Sequence, residues 1–256
     1  MFEFRLLLQS RRLLELLLLS LLLFLGACAT IDSSMLETAE TLPQGKIRIT
    51  GYTTSALMIH SMFSDYLNDP DNPDPQESDG TASTPGLKLN YGLLDHAELS
   101  FSSNLSSPMN NGRLSLKYAL NQPVEKFRFA IMPSIYYNSG EDGMETNPGG
   151  TSEYRMLYKV LGGELPLLIT YRREDVFAIT LCPKIAYNRF LYRRAGGNSN
   201  WETYESYLAG LVASPSFKFG IVTITAPELG IFYYPVKEGD YHIQPTLTFG
   251  VGLEFR

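Results

Sequence analysis

Two histidines that lie far apart in the sequence have the residue types of a metal site or a hydrolytic site. His60 is followed by Asp65, and His242 is preceded by Asp240. Two imidazoles and a carboxylate can bind zinc or copper, or can position a water molecule for hydrolysis. The other interpretation is that both histidines are ordinary polar residues at the rim of the fold. The metal site requires the fold to bring the two histidines together.

The segment 69–80 is rich in hard oxygen donors and includes Asp69, Asp71 and Asp74. Calcium prefers such oxygens, so these three residues could be calcium ligands. The spacing is not that of an EF-hand, and the prolines favour extended conformers, so a solvated acidic loop is the alternative. The serines show no nucleophile elbow and no ordered triad. We therefore predict that the protein is not an enzyme and needs no cofactor, with zinc or calcium as the possible exceptions.

The clearest of the elements that would position these residues is the last one. From Tyr241 to Arg256 the odd positions are apolar and the even positions are polar or glycine. Side chains alternate between the two faces of a strand, so this is a strand with one apolar face and one polar face. A tilted strand that crosses a bilayer needs roughly 9–11 residues. The pattern is typical of a transmembrane barrel strand, apolar toward lipid and polar toward the lumen.

The N-terminus has the features of an export signal. Three arginines precede a leucine-rich run at 16–25, which ends in Gly-Ala-Cys at 26–28. Residues 25–28 resemble the bacterial lipobox, and the resemblance implies cleavage before Cys28 and lipidation of its thiol. Ala29 after the cysteine implies export to the outer membrane. Ordinary cleavage, with Cys28 unmodified, is the alternative. We expect a signal peptide at 1–27, a lipidated periplasmic tether at 28–45 and a barrel at 46–256.

Further alternating segments predict a closed antiparallel transmembrane β-barrel, an all-β fold of about ten strands. The segments are 45–58, 87–93, 97–105, 113–121, 127–138, 164–172, 175–190, 204–218, 221–236 and 241–256. Residues 154–163 either extend the sixth strand through a bulge at Gly162 and Gly163 or belong to a loop. Eight or twelve strands are the alternatives. Facing is uncertain in 204–218 and 221–236, where alternation is weak.

Short and long connections alternate along the chain. The short ones are 95–96, 122–125, 173–174 and 219–220, and the long ones are 59–85, 106–112, 139–153 and 191–203; the connection 237–240, which is short, is the exception. Bacterial barrels have short periplasmic turns and long extracellular loops. We therefore expect both termini in the periplasm and the lipid of Cys28 in the inner leaflet.

Residues 91–99, with the sequence Tyr-Gly-Leu-Leu-Asp-His-Ala-Glu-Leu, resemble a periplasmic hairpin of small Gram-negative outer-membrane barrels, including a transporter-like group. The chain departs from such barrels at its end, where Arg256 follows the aromatic Phe255. The resemblance implies an outer-membrane location. The expected partners are the lipid bilayer with lipopolysaccharide, the barrel assembly and lipoprotein export machinery, and small solutes.

The inward-facing positions carry many charges. The predicted lumen-facing charged residues are Lys88, Glu98, Arg113, Lys117, Arg128, Glu164, Arg172, Lys184, Lys218 and Glu254. Barrels of about eight strands are just wide enough to be filled by side chains, and open channels appear at about 16–18 strands. Either these charges pair across the lumen and plug it, or their basic excess lines a narrow path for small anions.

Composition narrows the classes of function. The formal net charge of −6 argues against nucleic acid as a partner, because phosphate binding requires a basic surface. Apart from Cys28, the only cysteine is Cys182, so a lipidated chain has no internal disulfide and no cysteine zinc cluster. We predict an outer-membrane barrel lipoprotein that is a narrow pore for small solutes. A closed structural or adhesive barrel that presents extracellular loops is the second hypothesis, and an enzyme with a site at the rim is the third.

Overall fold

The computed structural model describes residues 30–31, 34–58, 81–105, 111–121, 126–145, 153–194, 200–235 and 241–255. The strands are β1 Thr30–Ile31, β2 Ile47–Met58, β3 Thr81–Leu94, β4 Ala97–Asn104, β5 Asn111–Ala119, β6 Phe127–Ile131, β7 Ser134–Glu145, β8 Glu153–Arg173, β9 Phe177–Arg194, β10 Glu202–Phe219, β11 Val222–Pro235 and β12 Tyr241–Phe255. Within these ranges, no helix is long and apolar enough to cross a membrane.

Ten antiparallel wall strands close into a barrel, which confirms the predicted fold. β2 pairs with β3 on one edge and with β12 on the other, so the sheet has no free end. β6 and β7 form one wall strand, since both pair with β5 and with β8. The break between them falls at Met132 and Pro133. Proline has no backbone N–H to donate to the ladder, which explains the interruption.

The alternation of apolar and polar residues decides which face points outward. In β12, Leu247 and Phe249 are exposed on the outside, whereas Thr246 and Thr248 are buried. The same rule holds in the other wall strands and produces a continuous outer surface of apolar side chains. We call this surface the apolar belt; it includes Leu87, Leu89, Phe101, Leu114, Leu116, Ile131, Leu181, Leu211, Leu229, Leu247 and Phe249.

β8 includes residues 154–163, for which the sequence predicted either a strand extension or a loop. It runs unbroken from Glu153 to Arg173, and its register with β7 continues through Gly162 and Gly163 without a shift. Residues 154–163 therefore belong to the sixth wall strand, and the expected bulge is absent at these glycines. Gly162 is instead the position at which the ring of Tyr136 lies against the wall, because a Cβ there would overlap that ring.

β11 alternates weakly because its facing changes at one point. Thr225 and Glu228 are both buried although one position is odd and the other even. The pairing of β11 with both neighbours shifts register around Ala226 and Pro227, which adds a residue to the strand. A bulge of this kind moves every following side chain to the opposite face. Gly230 and Phe232 therefore point inward above it.

The two ends of the barrel differ. At the turn end, short connections join β3 to β4 at Asp95–His96, β8 to β9 at 174–176 and β10 to β11 at 220–221. Gly220 and Glu174 have φ angles of 62° and 59°, as tight turns require. At the opposite end, which we call the loop end, the connections 59–80, 106–110, 146–152, 195–199 and 236–240 lie outside the described residues.

Residues 34–42 lie inside the barrel, and Pro43 and Gln44 are exposed at its turn end; we call residues 34–44 the luminal segment. Ser34, Met35, Leu36, Glu37, Ala39 and Leu42 are all buried there. The expectation of a periplasmic tether over 28–45 is therefore wrong for these residues. The physical reason is charge: the lumen has more basic than acidic wall side chains, and the luminal segment brings two glutamates to them.

Candidate functional site

The luminal segment runs along the lumen toward the turn end. The carbonyl oxygen of Ser34 accepts a hydrogen bond from Arg113 Nη1 at 2.9 Å, on β5. At the other end of the segment, Thr41 Oγ1 donates to the carbonyl oxygen of Asp95 at 2.7 Å, in the turn between β3 and β4. The backbone N–H of Gly45 then donates to the carbonyl oxygen of Gly92 at 2.9 Å, which directs the chain into β2.

Glu37 is the centre of the buried polar network. Its carboxylate lies 2.8 Å from Lys88 Nζ and 2.6 Å from Lys117 Nζ. Lys117 also lies 3.0 Å from Glu98, so the two acids share one lysine. Asn90 donates to both carboxylates, at 2.6 Å to Glu37 and 2.7 Å to Glu98. Buried charges are tolerated only when they are paired and hydrogen-bonded, and these four charged groups meet that condition.

Glu164 pairs with the basic side chains on the loop-end side of this network. Its carboxylate lies 3.5 Å from Arg113 Nε and 3.2 Å from Lys184 Nζ. The Lys184 ammonium also lies 4.9 Å from the centre of the Phe232 ring, as in a cation–π contact. The same ammonium lies 3.7 Å from the sulfur of Met35. Lys184 therefore joins the wall to the luminal segment.

Glu228 holds the backbone of the luminal segment. Its two carboxylate oxygens accept hydrogen bonds from the N–H groups of Met35 and Leu36, at 2.8 Å and 2.6 Å. Leu36 has a φ of 49°, a left-handed conformation that non-glycine residues rarely adopt. Two successive N–H groups aimed at one carboxylate form a small anion-binding concavity. The contact with Glu228 offsets the backbone strain at Leu36.

Glu40 anchors the luminal segment near the turn end. Its carboxylate lies 2.8 Å from Arg128 Nη1 and also pairs with Arg172. The backbone N–H of Ala39 donates to Thr170 Oγ1 at 2.7 Å, on the same strand as Arg172. These contacts fix the segment against β6 and β8.

Glu254 pairs with three basic residues at the turn end of the lumen, where β12 meets β2. It lies 3.0 Å from Lys46, 2.9 Å from Lys218 and 3.9 Å from Arg48. These residues come from β2, β10 and β12 and from the chain just before β2. The pairing holds the end of the luminal segment to the closing strands.

The wall on the side away from Lys88 and Lys117 is mostly apolar at the level of Met35 and Ala39, although Lys184 of β9 lies among its side chains. Met35 and Ala39 of the luminal segment are buried in one cluster with wall residues of β6, β8, β9, β10 and β11 and the residue after β6. The wall members of this cluster are Ala130, Met132, Leu168, Cys182, Ala186, Leu208, Val212 and Phe232. The luminal segment therefore lies between a basic wall and an apolar wall, and its side chains match each. Cys182 is a small buried member of the apolar wall.

Several inward-facing aromatic rings lie flat against the wall, over glycine residues. Tyr52 lies over Gly86, and Tyr136 lies over Gly162, on the neighbouring strand in each case. A Cβ at either glycine would overlap the ring, so only glycine admits this packing. The other pairs of this kind are Gly140 with Tyr158, and Gly210 and Gly230 with Phe232.

The structure places the ten predicted charged residues on the lumen side. Lys88, Glu98, Arg113, Lys117, Glu164, Lys184 and Glu254 are buried, and Arg128, Arg172 and Lys218 are partly accessible near the turn end. Each pairs with a residue named above.

The side chains of the other predicted site residues are not described. Outside the described residues lie His60, Asp65 and Asp240 of the predicted metal site, Asp69, Asp71 and Asp74 of the predicted calcium site, and Cys28. Of His242 only the backbone is described, in β12. Those sites stay predictions. Among the residues that are described, no cluster of histidine, cysteine and acidic residues could hold a metal.

Glu37, Glu40 and Glu228 are lumen residues that the sequence pattern did not predict. Glu228 was missed because the bulge at Ala226 reverses the facing of β11. Glu37 and Glu40 were missed because no strand pattern marks the luminal segment. A signal existed nonetheless: basic residues outnumbered acidic ones on the predicted inner face, and uncompensated buried cations require acids from elsewhere.

No family model matches the sequence, and no curated protein matches it. Three solved structures are similar to the chain in architecture. The attachment invasion locus protein Ail of Yersinia pestis, in complex with a heparin analogue, is 12% identical, with a TM-score of 0.36, over 83% of this chain and 99% of Ail. The outer membrane protease OmpT of Escherichia coli is 11% identical, with a TM-score of 0.41, over 85% of this chain and 99% of OmpT. Neisserial surface protein A is 12% identical, with a TM-score of 0.36, over 82% of this chain and 96% of that protein.

Proposed function

We propose that the protein is an outer-membrane barrel whose lumen is closed by its own luminal segment and that it acts as a membrane-embedded scaffold for the loop end. The observation that carries this proposal is the burial of Met35, Glu37 and Leu42 inside the ring of wall strands. Of the functions predicted from the sequence, an occupied lumen favours the closed barrel over the narrow pore.

The outer surface supports the membrane location. On β9 and β10, two cross-strand aromatic pairs face outward: Phe177 with Phe217 near the turn end, and Tyr187 with Tyr207 nearer the loop end. Ten positions separate Phe177 from Tyr187, or roughly 33 Å along the strand. With a strand tilt of about 40°, this corresponds to about 25 Å, the height of the apolar band in outer-membrane barrels. Aromatic residues mark both borders of such a band.

The contacts of the luminal segment support a closed lumen. Moving the segment out would leave Lys88 and Glu228 without their partners and Lys117 with only Glu98, and a buried pair that loses one member costs about 3–5 kcal/mol. It would also expose the apolar side chains of Met35 and Ala39 to water. We therefore expect the occupied state to predominate at equilibrium.

Single-channel recording tests the closed lumen. The chain from residue 28 onward is refolded, and folding is verified by the change in gel mobility on heating. We expect no steady conductance in a planar bilayer. A variant that lacks residues 30–42 but passes the same folding test should show steps that favour anions, because basic wall residues then lose Glu37 and Glu40. Steady steps from the folded wild-type chain would overturn the proposal.

A further inference from the structure

Trp201, the only tryptophan of the chain, contacts two cations at the loop end of the barrel. The Lys159 ammonium lies 4.9 Å from the centre of its ring, and the guanidinium carbon of Arg193 lies 4.8 Å from it, as in cation–π contacts. Lys159 and Arg193 have the odd, outward-facing parity that the exposed Leu161 and Ile185 show on the same two strands. These three side chains therefore lie on the outer face, and we call them the basic cluster.

The two cations of the basic cluster have no acidic partner among the described residues. Neither Lys159 nor Arg193 forms an ion pair with a described carboxylate. The Nε atom of Arg193 is buried and has no hydrogen-bond partner in the part of the chain that the structure describes. Two like charges on one ring repel each other, and an anionic group bound beside both would offset that repulsion. The basic cluster therefore has the charge and the free donors to bind an anion.

An apolar groove of about 600 Å³ lies on the same outer face, on the turn-end side of the basic cluster. Gly163 and Ala209 line it, and they have no side chain or only a methyl group. Larger outward-facing side chains stand around these two positions, among them Leu165, Ile185, Tyr187 and Tyr207. A groove of this kind in the apolar belt has the shape and polarity to hold a hydrocarbon chain.

The groove and the basic cluster lie at the depths of a lipid tail and a lipid head group. Tyr187 and Tyr207 mark the loop-end border of the apolar band, and the groove extends from them to the ladder pair Leu165–Ile185. Lys159 lies four positions nearer the loop end than the residue opposite Tyr187, or roughly 13 Å along the strand. A lipid with one chain in the groove therefore has its head group at the basic cluster.

We propose that this face is a binding site for lipopolysaccharide, with a phosphate of its lipid A on Lys159 and Arg193 and one acyl chain in the groove. Phosphate oxygens accept strong charge-assisted hydrogen bonds from both side chains, and the free Nε of Arg193 is one such donor. Basic side chains beside a lipid-facing surface bind anionic head groups in this way. With the long loops outside the cell, the leaflet at this level is the outer one, which contains lipopolysaccharide. The inference rests on the proposed membrane location and not on the closed lumen.

Trp201 reports binding directly, because no other tryptophan contributes to the emission. The refolded protein, verified by its change in gel mobility on heating, is titrated in neutral detergent micelles with bisphosphorylated lipid A. We expect a saturable change in emission. Dephosphorylated lipid A should bind at least about tenfold more weakly, because the charge-assisted contacts are lost. Phosphatidylglycerol is the phospholipid arm and should also bind more weakly, because it brings one phosphate to two cations. Equal binding of phosphatidylglycerol and lipid A would overturn the assignment to lipopolysaccharide.

The charge of the basic cluster is tested by the double variant Lys159→Gln with Arg193→Gln. The matched control is Lys126→Gln with Arg173→Gln, which removes one exposed lysine and one exposed arginine at the turn end. Native mass spectrometry counts the bound lipid A, so the affinity does not depend on the altered surroundings of Trp201. We expect the first double variant to bind at least about tenfold more weakly than the wild-type chain and the control to bind equally well.

The groove is tested by Ala209→Phe, which fills it and leaves both cations in place. Ala213→Phe is the control, because Ala213 lies on the same strand with the same outward parity, four positions nearer the turn end and outside the groove. We expect Ala209→Phe to weaken lipid A binding and Ala213→Phe to leave it unchanged. Wild-type affinity in Ala209→Phe or in the first double variant would overturn the proposed site. Such a result leaves the closed lumen intact, whereas conductance of the wild-type chain leaves lipid binding intact.

Discussion

Glu37 and Lys117 are 80 residues apart in the sequence, yet their charged atoms lie 2.6 Å apart in the lumen. Only 1% of each side chain is exposed. Lys117 belongs to the wall and Glu37 to the luminal segment. Substitutions at this pair therefore test how strongly the barrel binds its own luminal segment.

Glu37→Gln should strongly destabilise the folded protein. The substitution leaves Lys88 unpaired and Lys117 with only Glu98, and we expect a loss of about 3–5 kcal/mol in the free energy of unfolding. Urea titration of the refolded barrel in lipid vesicles gives this value. Lys88→Met in the same chain should restore part of the stability, since it removes the buried cation that Glu37→Gln leaves without an acidic partner.

Glu40→Gln is the matched control for Glu37→Gln. Both residues are glutamates of the luminal segment with two basic partners, but the Glu40 side chain is 17% exposed. Water therefore compensates part of the loss, and the decrease in unfolding free energy should be smaller. An equal or larger effect of Glu40→Gln would contradict the central role of Glu37.

Glu228→Gln should release the backbone at Met35 and Leu36. A carboxylate accepts both N–H bonds, whereas an amide has one accepting oxygen and an NH₂ group that cannot accept. We expect faster hydrogen exchange at residues 35 and 36, with the protection of β12 unchanged. The control is Glu205→Gln, an exposed glutamate on the outer face of β10. Unchanged exchange in Glu228→Gln would show that the luminal segment does not depend on this carboxylate.

The wall of the barrel could be predicted because its signal is local. In β12, the side chains of Leu247 and Phe249 face lipid and those of Thr246 and Thr248 face inward, and a period of two shows this in the sequence alone. The same locality explains the failure in β11, where a single bulge reverses the period and removed Glu228 from the predicted inner face.

The contents of the lumen could not be predicted in the same way. Glu37 pairs with residues on β3 and β5 that lie more than 50 positions away, and no local pattern encodes such a contact. The ten charged wall residues could be assigned to the lumen by parity, but whether they lined a path or paired with an internal segment depended on residues 34–44.

Gly92 provides the space in which the luminal segment reaches the turn end. A methyl group there would overlap the carbonyl oxygens of Leu42 and Pro43, which are backbone atoms with little freedom to move. Gly92→Ala should therefore weaken the seating of the segment and lower the midpoint of urea unfolding. Gly51→Ala is the control, because a methyl group at Gly51 has no heavy atom within 4 Å. Equal midpoints for the two variants would show that the chain does not pass Gly92 closely.

The membrane location makes a prediction that depends on depth alone. Leu181 lies on the outer face of β9 between the levels of Phe177 and Tyr187, and Val176 lies in the turn just below; their exposed fractions are 43% and 45%. An arginine near the middle of the bilayer costs about 2–4 kcal/mol, and one near the interface about 0–1 kcal/mol. Leu181→Arg should therefore lose far more unfolding free energy in lipid vesicles than Val176→Arg. If the barrel instead stood in water, two outward positions of equal exposure would accept arginine equally well.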